Sequence, residues 1–511
     1  MSTPSAVVVT DLTIYIPPLD VKPDAQTWHR IDKNLILDKS PRKAWLYVAL
    51  AHENTLKAED LVVIDISVGA APPDSRSGDP WEKRPGGIWV LKGQVSGMVN
   101  RAVTQVDVLF GTDAVDPRPQ WVLLSSFLQL DGSPEAPVAR LTVLRGRAEP
   151  IPAARSALRV GEDGKFKIVQ ISDMHMVTGV GECKDAIDAQ GKDLPVSAAD
   201  PLTVDFVGSI LDIEKPDLVV LTGDQLHHDI FDSQTALFKA VAPIIERSIP
   251  FAVVFGNHDS EGMHALPRSA QMLILQNLPL SLCSAGQEGL CGTGNYYLQI
   301  RAREPSQSSL STLYFLDSHA GIQSEVKTPD YDCIKPSQIN WFTKTSQGLR
   351  TKRENDKDNQ PFHQSLVFQH IPLPEFGNHR LKIHSGHRGE PTEGPSFNSR
   401  FYDALVKEDI SVLACGHDHV NDFCALLPPR MQQNGVITPH NGPWLCYAGC
   451  AGFGGYCSYN GKRYHRRSRV WELNTRAGSL KTWMRVEYKE DRVDEMALVE
   501  NGVIPESLLT N

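Results

Sequence analysis

This chain of 511 residues has no run of 18 or more apolar residues, so nothing in it reads as a membrane-spanning helix. It has no Asn-x-Ser/Thr acceptor site, and its opening MSTPSAVVVTDLTIYIPP lacks the basic and apolar regions of a secretory signal. Both absences set the expectation of a cytoplasmic protein with no membrane partner. Excess positive charge is missing too. The 51 Lys and Arg stand against 61 Asp and Glu, and a formal charge of -10 argues against nucleic acid as a main partner. Cysteine is sparse: nine residues, an odd number thinly spread, do not make a disulfide framework. No internal repeat appears.

What remains is an ordinary globular composition, 41% apolar and 22% charged, in a chain too long for one ordinary domain. Residues 1–155 carry strand-like runs such as AWLYVAL (44–50), LVVIDISV (61–68), VTQVDVLF (103–110) and ARLTVLRG (139–146). Pro- and Gly-rich breaks separate them, which predicts a small all-β sandwich or barrel. Trp28, Trp45, Trp81, Trp89 and Trp121 lie in this part and are expected mainly in its core. Residues 148–164 read as a linker. From Lys165 onward strands alternate with helical stretches (201–215, 235–248), the pattern of an α/β domain over 160–490. RVWELN and LKTWMRV form a closing hairpin, 301–311 and 349–363 are polar excursions, and 491–511 is a C-terminal tail. Cys446, Cys450 and Cys457 lack the paired short spacing of a zinc site and are expected to be buried small residues.

Five apolar runs, KFKIVQIS, DLVVLT, FAVVF, SLVFQ and ISVLAC, are short, β-branched and continuous, as strands buried on both faces should be. Each is followed by residues that bind hard or borderline metal ions: Asp173 and His175; Asp224; Asn257, His258 and Asp259; His370; His417 and His419. In an open α/β sheet, ligands collect at the carboxyl ends of strands, so five such ends would build a mixed N/O cage. Gly223, Gly256 and Gly416 precede the ligands, where the turn needs open backbone space.

The order Asp-x-His, Gly-Asp, Gly-Asn-His-Asp, His, Gly-His-x-His resembles the calcineurin-like metallophosphoesterases. QISDMHMVTGVGEC, HIPLPEF, GHDHVNDFC, YAGCAGFGGY and RRSRVWEL, with KAWLYV and WEKRPGGIWVL before them, are similar to the fungal dosage-dependent cell-cycle regulator phosphatases. They are also similar to plant proteins grouped with purple acid phosphatases but lacking the purple Tyr. The resemblance implies a four-layer sandwich, two mixed sheets flanked by helices, behind the β-domain. It implies two metal ions, Fe, Zn or Mn, with Asp173, His175 and His419 on the first, Asn257, His370 and His417 on the second, and Asp224 bridging.

Two metals roughly 3.5–4 Å apart share a hydroxide and clamp phosphoryl oxygens for in-line attack. The expected activity is a phosphatase acting on phosphate monoesters, with phosphorylated protein as substrate. The alternatives are a phosphodiesterase or nucleotide hydrolase on the same cage, or a binding scaffold that has lost the chemistry. His258 is expected to protonate the leaving group or stabilise the phosphoryl charge, with Asp259 or Asp229 as its orienting partner. His227 stands where relatives carry an orienting Asp or an iron-binding Tyr, so no purple band is expected. Asp317 and His319 repeat the Asp-x-His spacing out of order and are expected at the rim. Arg388 is a candidate cleft residue. The cluster Lys462, Arg463, His465, Arg466, Arg467 and Arg469 reads equally as a landing patch for an acidic substrate or as a solvated hairpin arm.

Overall fold

The computed structural model describes residues 7–509 apart from 19, 39, 74–79, 96–100, 150–157, 323–329, 357–361 and 429–441. Residues 150–157 of the expected linker therefore lie outside the described residues. The chain divides into two compact units. The first gathers Met1–Pro152 with Thr178–Val180 and Gln234–Ala242, and the second holds the rest.

The first unit is all-β apart from the helical stretch Gln234–Ala242, which no contiguous reading of the chain assigns to it. That stretch is tied in by non-local contacts: the Phe110 amide donates to Thr235 Oγ1 (3.2 Å), and Gln234 Nε2 donates to Asp107 Oδ2 (2.9 Å). Its strands form three small antiparallel sheets, centred on Trp45–His52, Ile88–Gln94 and Ala139–Arg145. Register shifts at Val9/Asp11, Val63/Asp65 and Val103/Gln105 bend three of the long strands. The five tryptophans are not core residues. All are half-buried, and the interior is filled by Val, Leu and Ile. Arg30 lies over Trp45, Lys83 over Trp89, and Arg118 over Trp121 at 3.7 Å, so cationic stems cover what the core does not.

The second unit is built on two mixed sheets. One runs Phe251–Val254, Leu218–Thr222, Lys165–Ile171, Arg467–Asn474, Ser479–Val486, Val493–Val499. Its first three strands are parallel and the rest antiparallel. The other has eight strands, with Ser309–Phe315, Gln364–Phe368, Val412–Cys415 and Trp444–Tyr447 parallel at its centre. Alternate residues of both sheets face each other: Ile168, Leu218, Val220, Ala252 and Val254 meet Leu313, Phe315, Leu366, Phe368, Val412 and Ala414. The opposite face of the eight-stranded sheet, with Tyr314, Val367 and Leu413, packs on Phe342 of helix Pro336–Glu354 and on Phe401 and Leu405 of helix Phe401–Lys407. Helix Ala199–Glu214 is anchored to the outer face of the six-stranded sheet. There Glu214 accepts from Trp483 Nε1 (2.8 Å) and Arg485 Nε (2.6 Å). Four layers result, as the resemblance implied. No helix among the described residues is long and apolar enough to cross a membrane.

Three local expectations fail for physical reasons. Residues 349–354 continue the helix that starts at Pro336, because its exposed face is polar while Phe342 and Ser346 bury the other. Val493–Val499 is no tail but the edge strand of the six-stranded sheet, and with only Leu498 and Val499 fully buried its apolar signal is faint. Cys424 and Cys446 are cross-strand partners with Cα atoms 4.2 Å apart and form a disulfide, so Cys446 is more than a small core residue.

Candidate metal centre

All five ligand-bearing loops leave the carboxyl ends of parallel strands, four of them central and one, Phe251–Val254, at a sheet edge. Asp173 and His175 follow Lys165–Ile171, Asp224 follows Leu218–Thr222, and Asn257 and His258 follow Phe251–Val254. His370 follows Gln364–Phe368 in the other sheet, and His417 and His419 follow Val412–Cys415. Polar side chains stitch the two sheets together just below the loops: Gln170 Nε2 donates to the Cys415 carbonyl (3.3 Å) and His370 Nδ1 to that of Thr222 (2.8 Å). Asp173, His175, Asp224 and His417 all adopt positive φ (55°, 50°, 50° and 79°). For residues with a Cβ this costs of order 1–3 kcal/mol each and persists only where the surroundings over-determine it. Gly256 is required on other grounds, since a Cβ there would run into the Asp224 carboxylate and amide.

The side chains converge as two sets. Asp173, His175 and His419 offer ligand atoms within 4.8 Å of one another, and so do Asp224, His370 and His417. His175 Nε2 and His419 Nε2 are 3.0 Å apart, and His419 Nε2 is 3.5 Å from Asp173 Oδ1. In the second set His370 Nε2 is 3.3 Å from Asp224 Oδ2, 3.2 Å from Asn257 Oδ1 and 3.3 Å from His417 Nδ1. Asp224 Oδ2 is also 3.9 Å from His175 Nε2, so this one oxygen lies between the sets.

In two of the histidines the second ring nitrogen is already committed. His370 Nδ1 bonds the Thr222 carbonyl and His419 Nδ1 the Tyr456 carbonyl (2.7 Å), which aims both Nε2 atoms inward. Buried acceptors thus surround two positions that a positive charge must fill, and the donor set suits divalent or trivalent cations. Burial disfavours the His370 imidazolium, but Asp224 outweighs it and lifts the group to about 9. Burial drives His175 and His417 well below their ordinary value, leaving them neutral as ligands must be.

His258 stands beside this centre with Nε2 3.9 Å from Asp224 Oδ2, and its side chain keeps 30% exposure, so it faces arriving solutes. Its partner is neither Asp259 nor Asp229. His258 Nδ1 is 2.5 Å from Glu261 Oε2, a residue the sequence reading passed over. Residues His258–Ser260 form a 3-10 turn, in which positions i and i+3 eclipse. Asp259 is fully buried and accepts from the amides of Gly256 (2.7 Å), Leu226 (2.9 Å) and Asp224 (3.1 Å). It braces two ligand loops against each other; burial and the nearby Asp224 charge raise it to about 7. Asp229 is exposed, and its amide faces His227 Nδ1 (3.3 Å).

His227 is peripheral: its Nε2 is 3.1 Å from Lys184 Nζ and its ring centroid 5.8 Å from that of His175. Asp317 and His319 also lie outside both sets. Asp317 is buried, paired with Arg268 and the Thr293 amide (2.7 Å), while His319 Nε2 meets Gln338 Oε1 (2.7 Å). Arg388 bonds Thr392 Oγ1 (2.9 Å) and the Phe376 carbonyl (2.8 Å) and lies over Phe423, none of which belongs to either ligand set. Tyr456, unassigned from sequence, stacks on His419 with centroids 3.9 Å apart. The GFGGY stretch around it was the only hint.

The basic cluster is split: Lys462 is exposed and Arg463 half-buried on a short hairpin with Ser458–Tyr459, the expected arm, but the rest is not a surface. Arg466, Arg467 and Arg469 are buried, Arg467 is ion-paired with Asp422, and Arg469 bonds the Tyr447 and Asp422 carbonyls. His465 bonds the Asp188 carbonyl (3.1 Å) and Arg463 pairs with Asp193 (2.7 Å). Arg467→Ala leaves Asp422 charged and buried, so a loss of about 3–5 kcal/mol is expected, read as a lower denaturation midpoint. An unchanged midpoint would show that Asp422 finds water instead.

The calcineurin-like phosphoesterase model matches residues 166–421. The chain is 36% identical over 420 residues to the phosphatase DCR2 of Saccharomyces cerevisiae, covering 80% of this chain and 68% of that one. It is also 36% identical over 379 residues to "Probable inactive purple acid phosphatase 29" of Arabidopsis thaliana, covering 69% and 91%. Among solved structures, a dimetal phosphatase from Danio rerio covers 66% of this chain and 99% of its own, at 12% identity and a TM-score of 0.38. The matched stretch runs from the strand before Asp173 past His419, and with two relatives at this identity the chain belongs to the calcineurin-like phosphoesterase family.

Proposed function

We propose that this protein is a binuclear-metal phosphatase for phosphate monoesters, with phosphorylated proteins as the substrate class. The observation that carries the reading is the position of Asp224 Oδ2 between two sets of buried ligand atoms. Asp173, His175 and His419 would hold one ion, Asn257, His370 and His417 the other, and Asp224 both. When bound, the ions supply an activated water and neutralise the phosphoryl charge. The chain's own residues do the rest. Asp259 keeps the Asp224 and Asn257 loops in register, and the Thr222 and Tyr456 carbonyls aim His370 and His419. His258, with Glu261 behind it, can give a proton to the departing oxygen.

The name of the Arabidopsis relative favours a second reading, a fold that kept its site and lost turnover. Against it, every expected ligand and His258 are present and converge. Metal analysis of the pure protein with parallel assays on aryl phosphate monoesters, diesters and a phosphopeptide separates these readings. Two ions and monoester turnover support the proposal. Diester preference points to the phosphodiesterase reading, and loaded metal without turnover to the scaffold. In the same assay Glu261→Gln should keep both ions while kcat falls about 10–100-fold, the usual range for losing a partner that orients a functional imidazole. An unchanged kcat would reduce Glu261 to an exposed ion pair.

A further inference from the structure

The side chains of the second ligand set, Asp224, Asn257, His370 and His417, present acceptors to whatever sits between them. A phosphoryl group arriving there is itself ringed with acceptor oxygens, so the cleft has need of a neutral donor. One is in place. Tyr331 lies in the short strand Asp330–Tyr331, with its ring edge-on to His417 at a centroid distance of 4.6 Å and 87° between planes. His417 belongs to the second ligand set, so the ring stands against the wall of the cleft. The ring is half-buried, and the hydroxyl has no hydrogen bond among the described residues.

The backbone that carries it is held on both sides. Asp330 Oδ1 accepts from the Ser396 amide (2.9 Å) and the Tyr331 amide (2.9 Å), and Asp330 Oδ2 accepts from Ser396 Oγ (2.6 Å). The Asp332 amide donates to the Ala320 carbonyl (3.0 Å), and Lys335 pairs with the Asp332 carboxylate. A backbone fixed this firmly holds the ring beside His417, so part of the conformational cost of a contact is met before anything binds.

We propose that Tyr331 is a substrate-contacting residue whose hydroxyl donates a hydrogen bond to a non-bridging oxygen of the phosphoryl group. The proposal rests on the phosphoesterase reading of the site. A phenol suits the task because it is a donor across the neutral range and adds no charge. The competing role is structural: the ring alone holds the His417 imidazole in orientation.

Tyr331→Phe separates the two, since it keeps the ring on His417 and removes only the hydroxyl. The probe is inorganic phosphate, titrated calorimetrically into the metal-loaded wild-type protein, Tyr331→Phe and Tyr331→Ala. Phosphate affinity is expected to fall about tenfold to a hundredfold in Tyr331→Phe, the range for one hydrogen bond to a charged acceptor. Metal content should stay unchanged. Equal phosphate affinity in wild type and Tyr331→Phe overturns the proposal, as does a loss confined to Tyr331→Ala, which would mark the ring as support for His417. A wild-type protein that binds no phosphate overturns it as well. If phosphate binds and Tyr331→Phe weakens it while no ester is turned over, the contact stands and the phosphatase reading falls.

Discussion

Asp224→Asn is expected to abolish turnover and to remove at least one metal ion. The wild-type carboxylate uses its two oxygens differently. Oδ1 accepts from the His258 amide at 2.9 Å, while Oδ2 faces His370 at 3.3 Å and His175 at 3.9 Å. The amide oxygen of Asn can keep the bond to the His258 amide, which leaves its NH2 pointing at the place where both cations are needed. The negative charge is lost at the same time. Burial opposes ionisation of Asp224, yet His370 and His258 hold it well below the usual carboxylate range, so it is a true anion in the protein. Metal content by elemental analysis, kcat on an aryl phosphate, and a denaturation midpoint near wild type make the test. Full metal occupancy with near-normal turnover would end the assignment of Asp224 as the bridge.

His258→Ala should keep both ions while kcat falls by roughly 10²–10⁴, the range for losing an acid–base group. His258 belongs to neither ligand set, and its imidazole touches a carboxylate through Nδ1, leaving Nε2 toward the cleft. If its task is to protonate the leaving oxygen, the loss should shrink for good leaving groups such as nitrophenolate. The measurement is kcat across a series of aryl and alkyl phosphates. An equal loss on all of them would assign His258 to the phosphoryl charge instead. Loss of a metal ion in this variant would make it a ligand, and the two sets would need redrawing.

Much of the site is local information. A strand buried on both faces must be a continuous apolar run, and a loop residue one to four places beyond its end must lie near the sheet edge. That is why Asp173, His175, Asp224, Asn257, His370, His417 and His419 could be picked out from spacing and resemblance, and why the structure brings them together. Local rules were weaker wherever a side chain had a choice of direction. Asp259 and Glu261 are both acidic and both close to His258 in the chain. The 3-10 turn at His258–Ser260 sends Glu261 back to the imidazole and Asp259 into three buried amides. Arg388 and His319 met the same difficulty: Arg388 turns both to Thr392, four residues on, and to the more distant Phe376, and His319 to Gln338, choices that spacing does not make.

By itself, then, the sequence determined the α/β sandwich behind an all-β region, the five strand ends and the kind of atom each would present. Strand periodicity and ligand type are properties of short segments. Only the tertiary structure decided what was charged and exposed and what was charged and enclosed. Arg466, Arg467 and Arg469 read as a basic surface and are interior, because the cost of desolvating a guanidinium depends on the carbonyls and the carboxylate that meet it, which lie at Lys184, Tyr447 and Asp422. The pairing of Cys424 with Cys446 and the place of Val493–Val499 at a sheet edge are decided in the same way, by neighbours across a ladder rather than along the chain.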